Sequence, residues 1–374
     1  MARLRSFALA VALAPGALVA CALDLAPTTE TAPEPSAPAP KVTADTSNDA
    51  APPPRADAEA DAGEPCVPGR QATDVGPRAE TFSLDVRGQK AFVHDAGKTA
   101  GYFHTFDALT VGGGEPHKVH VLLPRKYGES CARYPLVVMN DGHTAFWPGG
   151  LANKTFGMAE ALADAYARGA LREVVVVAVE PVSRNREYTH APWLTGEACC
   201  GAKAYAAWLA DGLVPFVDAA YRTQASRDQR FVLGSSHGGL SALYVAGKRP
   251  DVFGGAIAMS ASLWAGLDDR VSGTRGGPLA TSALLSEIGP GLSSATRPKV
   301  YLDWGLYREG GTHNTVTEEL ATTRGRELAG LLVTPAYGYR DGRDLFTVED
   351  PRGEHDETSW GRRLAGALER VVGK

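Results

Sequence analysis

No stripe of lysine and arginine runs through this chain. Its 38 basic residues are outnumbered by 43 acidic ones, for a formal net charge of -5. A nucleic-acid partner, which would need a basic face to meet the phosphates, is therefore not indicated. Long apolar runs are missing too: none reaches the about 20 residues that a permanent membrane-spanning helix needs. Aromatic residues are absent from Cys21 to Thr81. Metal-ligand spacing is absent around the five cysteines, because Cys199-Cys200 has no second pair and no nearby histidine ligands. No metal and no organic cofactor are expected.

What stands at the N-terminus reads as an export signal. Arg3 and Arg5 precede a short apolar segment, Phe7 to Val19, interrupted by Pro15-Gly16. Leu18-Val19-Ala20-Cys21 resembles the bacterial lipobox, in which the cysteine becomes the first mature residue and carries lipid. Residue 22 is Ala, not Asp, so by resemblance to known sorting rules the expected destination is the outer membrane of a bacterium. Residues 22–65 are dominated by Ala, Pro, Thr, Asp and Glu. Such a segment buries too little apolar surface to offset its ordering entropy, and its prolines keep it extended. The expected division is a signal peptide at 1–20, a lipidated Cys21 with a linker to residue 69, and one catalytic domain at 70–374. Export permits disulfides. Cys66, Cys131, Cys199 and Cys200 allow three pairings, and backbone strain disfavours a bond between the adjacent Cys199 and Cys200.

The domain alternates strands and helices. Residues 118–123 alternate and stop at Pro124. Residues 135–140, 173–179, 230–234, 255–259, 299–304 and 344–348 are apolar runs of the kind buried on both faces of a sheet. Helical periodicity occupies 154–168, 202–220, 236–247, 315–333 and 358–372. The alternation predicts an α/β fold with a mostly parallel central sheet and helices on both faces. An antiparallel lead-in is expected at 80–111, and an irregular, Gly- and Ser-rich excursion at 265–297.

Gly234-Ser235-Ser236-His237-Gly238 matches G-x-S-x-G between a buried strand and a helix, the context this nucleophile turn requires. Ser236 is the candidate nucleophile. His237 is too close in sequence to fold back onto it, so its backbone N–H is the candidate oxyanion donor. The base is expected after the last strand, where Gly353-Glu354-His355-Asp356 offers His355. The acid that orients it is expected in the loop after the strand at 299–304. Glu309 occupies that loop, with Asp303, inside the strand, as the alternative. A second oxyanion donor is expected from Gly142 or His143, after the strand at 135–140. Trp147, Arg186, Tyr188, Trp193 and Trp264 lie in segments near the presumed cleft and are candidate substrate contacts.

Taken together these residues resemble the esterase family that includes the enterochelin (siderophore) esterases, related to S-formylglutathione hydrolase and the feruloyl esterases, within the α/β-hydrolase superfamily. The similarity runs over about 118–364. It rests on Asn140-Asp141-Gly142 with Phe146, Arg186-Glu187-Tyr188, Tyr221-Arg222-Thr223, Gly234 to Gly239, Pro250 to Gly254, Ser260 to Trp264, and Gly353-Glu354-His355 with Trp360. One departure stands out: the family often carries its acid three residues after the Gly of a W-G-x-Y stretch, and Arg308 is there, with Glu309 one later. The resemblance implies an α/β-hydrolase fold and hydrolysis of a small ester of the siderophore, feruloyl or acetyl-carbohydrate type. Acyl transfer to a sugar hydroxyl, or a surface lipoprotein that only binds, are the alternatives on the same fold.

Overall fold

Valine-rich runs with both faces covered form the centre of the molecule. The computed structural model describes residues 66–78, 80–150 and 153–373. The signal segment, the lipid site at Cys21 and the linker up to residue 65 lie outside the described residues.

Ten strands among the described residues form one sheet: β1 (Phe82–Val86), β2 (Gln89–His94), β3 (Gly101–Leu109), β4 (His117–Pro124), β5 (Leu136–Met139), β6 (Val175–Val179), β7 (Arg230–Ser235), β8 (Gly255–Met259), β9 (Lys299–Gly305) and β10 (Leu345–Asp350). Their order is β1-β2-β3-β4-β6-β5-β7-β8-β9-β10. The first four pair antiparallel, as does β4 with β6, and β6 onward is parallel. The helices are α1 (Gly142–Ala145), α2 (Met158–Ala167), α3 (Arg184–Tyr188), α4 (Ala202–Ala207), α5 (Val214–Ala220), α6 (His237–Lys248), α7 (Ala283–Leu292), α8 (Glu318–Leu332) and α9 (Glu357–Val371). A π-helical turn at Trp208–Leu213 joins α4 to α5, which makes one helical stretch of the segment 202–220.

The period-2 alternation of the strands sorts their side chains into two cores. Val137, Met139, Val176, Leu233 and Ile257 face α2 and α9, whose Leu162, Leu364 and Leu368 meet them. Leu136, Val138, Val177, Val232 and Ala258 face the opposite layer, with Leu240, Leu243 and Leu328. All five residues of β6 are fully buried. Each of its four valines contributes about 1.5–3 kcal/mol relative to exposure.

Two expectations need correction. The excursion at 265–297 is irregular only to residue 282, because α7 occupies Ala283–Leu292. The glycines around Pro290 concealed it: Gly289-Pro290-Gly291 reads as a turn, yet Leu284, Leu285, Ile288 and Leu292 bury one face. Cys199 and Cys200 are bonded to each other, and Cys66 is bonded to Cys131. The adjacent pair is accommodated by a left-handed backbone at Cys200 (φ 74°), whose N–H donates to the carbonyl of Thr189. Near the start of the folded part, Asp74 pairs with Arg222, both buried, and the guanidinium lies 4.0 Å from the Tyr127 ring centroid.

Candidate active site

The parallel strands deliver their C-terminal ends to one edge of the sheet, where β7 passes into α6 through Ser236. This residue has φ 53° and ψ -122°, a conformation that costs a non-glycine side chain about 1–3 kcal/mol and persists only when its surroundings impose it. Here they do. The Ser236 N–H donates to the Met259 carbonyl (2.9 Å), and the Ser236 carbonyl accepts from the amide of Ser262 (3.0 Å). The turn closes because its flanks are glycines. A Cβ on Gly234 would sit 2.3 Å from the Gly238 carbonyl oxygen, and one on Gly238 would sit 2.8 Å from an Asp141 carboxylate oxygen.

Ser236 Oγ lies 2.9 Å from His355 Nε2. His355 comes from the loop between β10 and α9, is 8% exposed, and is held at its backbone by Asn314 Oδ1 (2.9 Å). Its Nδ1 lies 2.5 Å from Glu318 Oε2. The other oxygen of Glu318 accepts from Ser260 Oγ (2.9 Å) and from the backbone N–H of Gly305. Burial pushes this carboxyl up, but the bond to His355 and its charge, with the Gly305 amide and the Ser260 hydroxyl, outweigh that and hold it below the usual carboxylate range. An imidazole fixed in this way presents Nε2 to the serine hydroxyl as a proton acceptor and is stabilised when it becomes positive.

Glu309 is not part of this chain of contacts. It is exposed, and its nearest partner is the Tyr307 hydroxyl at 3.5 Å. The reason is the path of the loop: after Gly305 it runs outward through residues 306–312 and returns by a π-helical turn, His313–Thr317, that delivers Glu318 at the head of α8. Arg308 takes Glu319 as its partner (2.7 Å). A signal for Glu318 was present in the sequence. It begins the stripe Glu318, Ala321, Gly325, Leu328, Leu332, all buried. A carboxylate at the head of a buried helical stripe needs a partner.

Asp303 serves a different purpose. Its carboxylate takes Arg363 through two nitrogens (2.9 and 3.0 Å), together with the Tyr301 hydroxyl and the amide of Ser260. Both partners are almost completely buried. Asp303→Asn is expected to cost about 3–5 kcal/mol of stability by leaving Arg363 undercompensated, read as a lowered urea midpoint. An unchanged midpoint would show the pair to be dispensable.

Two helix starts meet behind Ser236. The first intrahelical bond of α6 runs from the Leu240 amide to the Ser236 carbonyl, which leaves the His237 amide without a helical acceptor. After β5, Asp141 turns left-handed (φ 59°) and α1 begins at Gly142. Its first bond is from Thr144 to Asp141, which leaves the Gly142 and His143 amides similarly uncommitted within the helix. Gly142 is required because a Cβ there would lie 2.8 Å from the β6 backbone. Asp141 is clamped by Arg184 (2.7 and 2.9 Å), and its amide donates to the Tyr188 hydroxyl (3.0 Å). The His237 imidazole is buried, with Nδ1 2.9 Å from Ser262 Oγ. Burial above all, then the charges of Arg184, His355 and Arg270, push it well below the usual histidine range, so it is neutral.

Ser236 and His355 open into a cleft of about 640 Å³. Trp264 and Trp193 line it, as do His143, Arg184 and Arg270. Three expected substrate contacts do not. Trp147 packs among Phe103, Phe146 and His120 on the β3–β4 side of the sheet. Arg186 pairs with Glu115 beside a separate, smaller pocket. Tyr188 is fully buried and supports the Asp141 loop from beneath. On the short α3 it is the first arginine, Arg184, that reaches the cleft.

Comparison with known proteins agrees with this architecture. The chain is 27% identical over 150 residues to the uncharacterized protein YbbA of Bacillus subtilis (strain 168); the match takes in 38% of this chain and 55% of that protein, little more than half the relative's length. Among solved structures, the BES protein from Bacillus cereus superposes with a TM-score of 0.51 at 15% identity, covering 79% of this chain and 94% of the other. Siderophore hydrolase EstA from Aspergillus nidulans gives 0.50 at 21% identity, covering 69% and 89%. An IroE-like serine hydrolase from Shewanella oneidensis gives 0.50 at 16% identity, covering 69% and 75%. At these identities they speak to the fold, which is that of the α/β-hydrolases. The family described as "Putative esterase" matches residues 112–371, most of the chain, and the protein belongs to that family.

Proposed function

We propose that this protein is a carboxylic ester hydrolase that works through an acyl-enzyme on Ser236. The observation that carries the reading is the continuous contact Ser236–His355–Glu318, at 2.9 and 2.5 Å, opening into the cleft. Ser236 Oγ attacks the ester carbonyl carbon as His355 Nε2 takes its proton. The C–O bond to the alcohol then breaks, and His355 returns the proton to the departing oxygen. Water, deprotonated by the same imidazole, releases the acid and restores the serine. The amides of His237 and of Gly142 or His143 stabilise the oxyanion, and Glu318 holds the imidazole and balances its positive form.

The reading of a binder without catalysis rested on the displaced acid. Glu318 against His355 supplies that acid and removes the feature that favoured it. The names of similar proteins, siderophore hydrolase and serine hydrolase among them, support small esters as substrates. Purified protein assayed on p-nitrophenyl acetate and on a panel of siderophore, feruloyl and acetyl-carbohydrate esters tests the proposal. Release of acid from at least one of them supports it, and no turnover of any sinks it.

We also infer export and lipid anchoring at Cys21, a reading supported by the paired cysteines of the described part, which suit an oxidising compartment. Cys21→Ser is expected to move the protein from the detergent phase to the aqueous phase on Triton X-114 partitioning; an unchanged distribution would refute the anchor.

A further inference from the structure

Among the described residues the cleft holds one arginine that no acid neutralises. Lys154 is paired with Asp356 (2.6 Å) and Arg184 with Asp141. Arg270 also lines the cleft, yet no carboxylate among the described residues lies within ion-pair distance of it. Its own neighbours are committed elsewhere. Asp268 is taken by Arg324 through both oxygens, and Asp269 closes its own turn, accepting from the Val271 amide and the Ser272 hydroxyl. Arg270 Nε donates to Thr317 Oγ1 at 3.1 Å. That bond fixes the side chain, and its two terminal nitrogens make no hydrogen bond to a described residue.

Its location has a chemical meaning. Thr317 immediately precedes Glu318, and His313, on the same turn, has its ring 6.0 Å from that of His355. Arg270 therefore belongs to the wall that carries His355. The imidazole gives its proton to the departing alcohol, so the alcohol portion of a bound ester lies along this wall. The cleft also presents Glu197, Glu354 and Glu357, none with a basic partner within ion-pair distance among the described residues, and Glu354, next to His355, lies on that same wall. Glu354 is bonded to Asn314 Nδ2 (3.2 Å) and Glu197 to Asn185 (2.8 Å). These carboxylates repel an anion wherever they face the cleft, and the Arg270 guanidinium is the basic group left to receive one. After burial and the charges of Arg184 and His355, Arg270 also helps depress the imidazole of His237, and after burial and His355 that of His313.

Building on the ester-hydrolase reading, we propose that Arg270 is a specificity residue that binds a carboxylate on the alcohol portion of the substrate, so that esters of hydroxy acids are preferred. The two terminal nitrogens match a carboxylate in a two-point contact.

A matched pair of substrates tests this. 4-Acetoxy-3-nitrobenzoate and 2-nitrophenyl acetate release nitrophenols that differ by one carboxylate, and 2-nitrophenyl hemisuccinate carries the charge on the acyl side instead. In Arg270→Gln the ratio of kcat/KM for the first substrate to that for the second is expected to fall roughly 10-fold or more, through KM. Arg270→Lys, which keeps the charge but not the two-point geometry, should restore part of the ratio. An unchanged ratio overturns the proposal, as does a loss confined to the hemisuccinate, which would put the anion site on the acyl side. Calorimetric binding of 4-hydroxy-3-nitrobenzoate to the wild type and to Arg270→Gln reads the subsite without turnover. Binding that depends on Arg270 in a protein that cleaves no ester would sink the hydrolase reading and keep the subsite. Turnover with binding indifferent to Arg270 would do the reverse.

Discussion

Ser236→Ala is expected to lower ester turnover by roughly 10⁴-fold or more while leaving the protein folded. The change removes a single oxygen whose contacts are His355 Nε2 and, at 3.3 Å, the Ser262 hydroxyl. The elbow survives it. The backbone bonds of Ser236 to Met259 and Ser262 do not involve Oγ, and alanine meets the positive φ with the same Cβ that serine has. What remains is binding and oxyanion stabilisation without a nucleophile. A serine-directed phosphonate is expected to add once per wild-type chain and not to the variant, by intact-mass measurement. Labelling that persists in Ser236→Ala would mean that another serine attacks, with Ser262 the first to examine.

The second large effect is expected at Glu318. Glutamine retains the size and one carbonyl oxygen, but it loses the charge and can turn an N–H₂ toward His355 Nδ1. That would select the tautomer with its proton on Nε2, which cannot accept from Ser236. Glu318→Gln should therefore cost about 10²- to 10⁴-fold in kcat with little change in KM, because the lost interaction is strongest when the imidazole is positive. Glu309→Gln, on the exposed outer loop, should remain within about twofold of wild type, as surface changes away from such features do. A folded Glu318→Gln enzyme with wild-type kcat, or an equal loss at Glu309, would defeat this assignment. The same carboxyl should appear in the acid limb of stability. Its folded value lies below its ordinary one, so its contribution is complete above the ordinary glutamate range and is lost as pH falls through the lowered value. In Glu318→Gln that part of the slope disappears.

Much of this molecule is legible along the chain because the governing constraints are local. Short apolar runs rich in β-branched residues, such as Val175–Val179, announce strands buried on both faces. The glycines at 234 and 238 and the serine between them specify a turn whose geometry depends on a handful of consecutive residues. His355 follows from chain order, because in a parallel sheet every strand delivers its next loop to the same edge.

The remainder depended on how separate loops come together. Its place in the loop after the strand at 299–304 favoured Glu309, but the outward path of residues 306–312 and the π-helical turn after it put Glu318 against His355 instead. Which aromatic or arginine lines the cleft was equally hidden: Tyr188 and Arg184 share one short helix, and its rotation buries the first and exposes the second to the cleft. The adjacent cysteines could pair because Cys200 adopts a left-handed backbone within the loop that precedes α4. Arg270 has no carboxylate partner among the described residues, while its near neighbour Asp268 is taken by Arg324, 54 positions beyond Arg270 in the chain. Local sequence determined the elements and the nucleophile turn, whose energies are set by neighbours within a few residues. Tertiary structure decided the acid, the cleft and its charge, since these are contacts between segments whose separation along the chain carries no information about their distance in space.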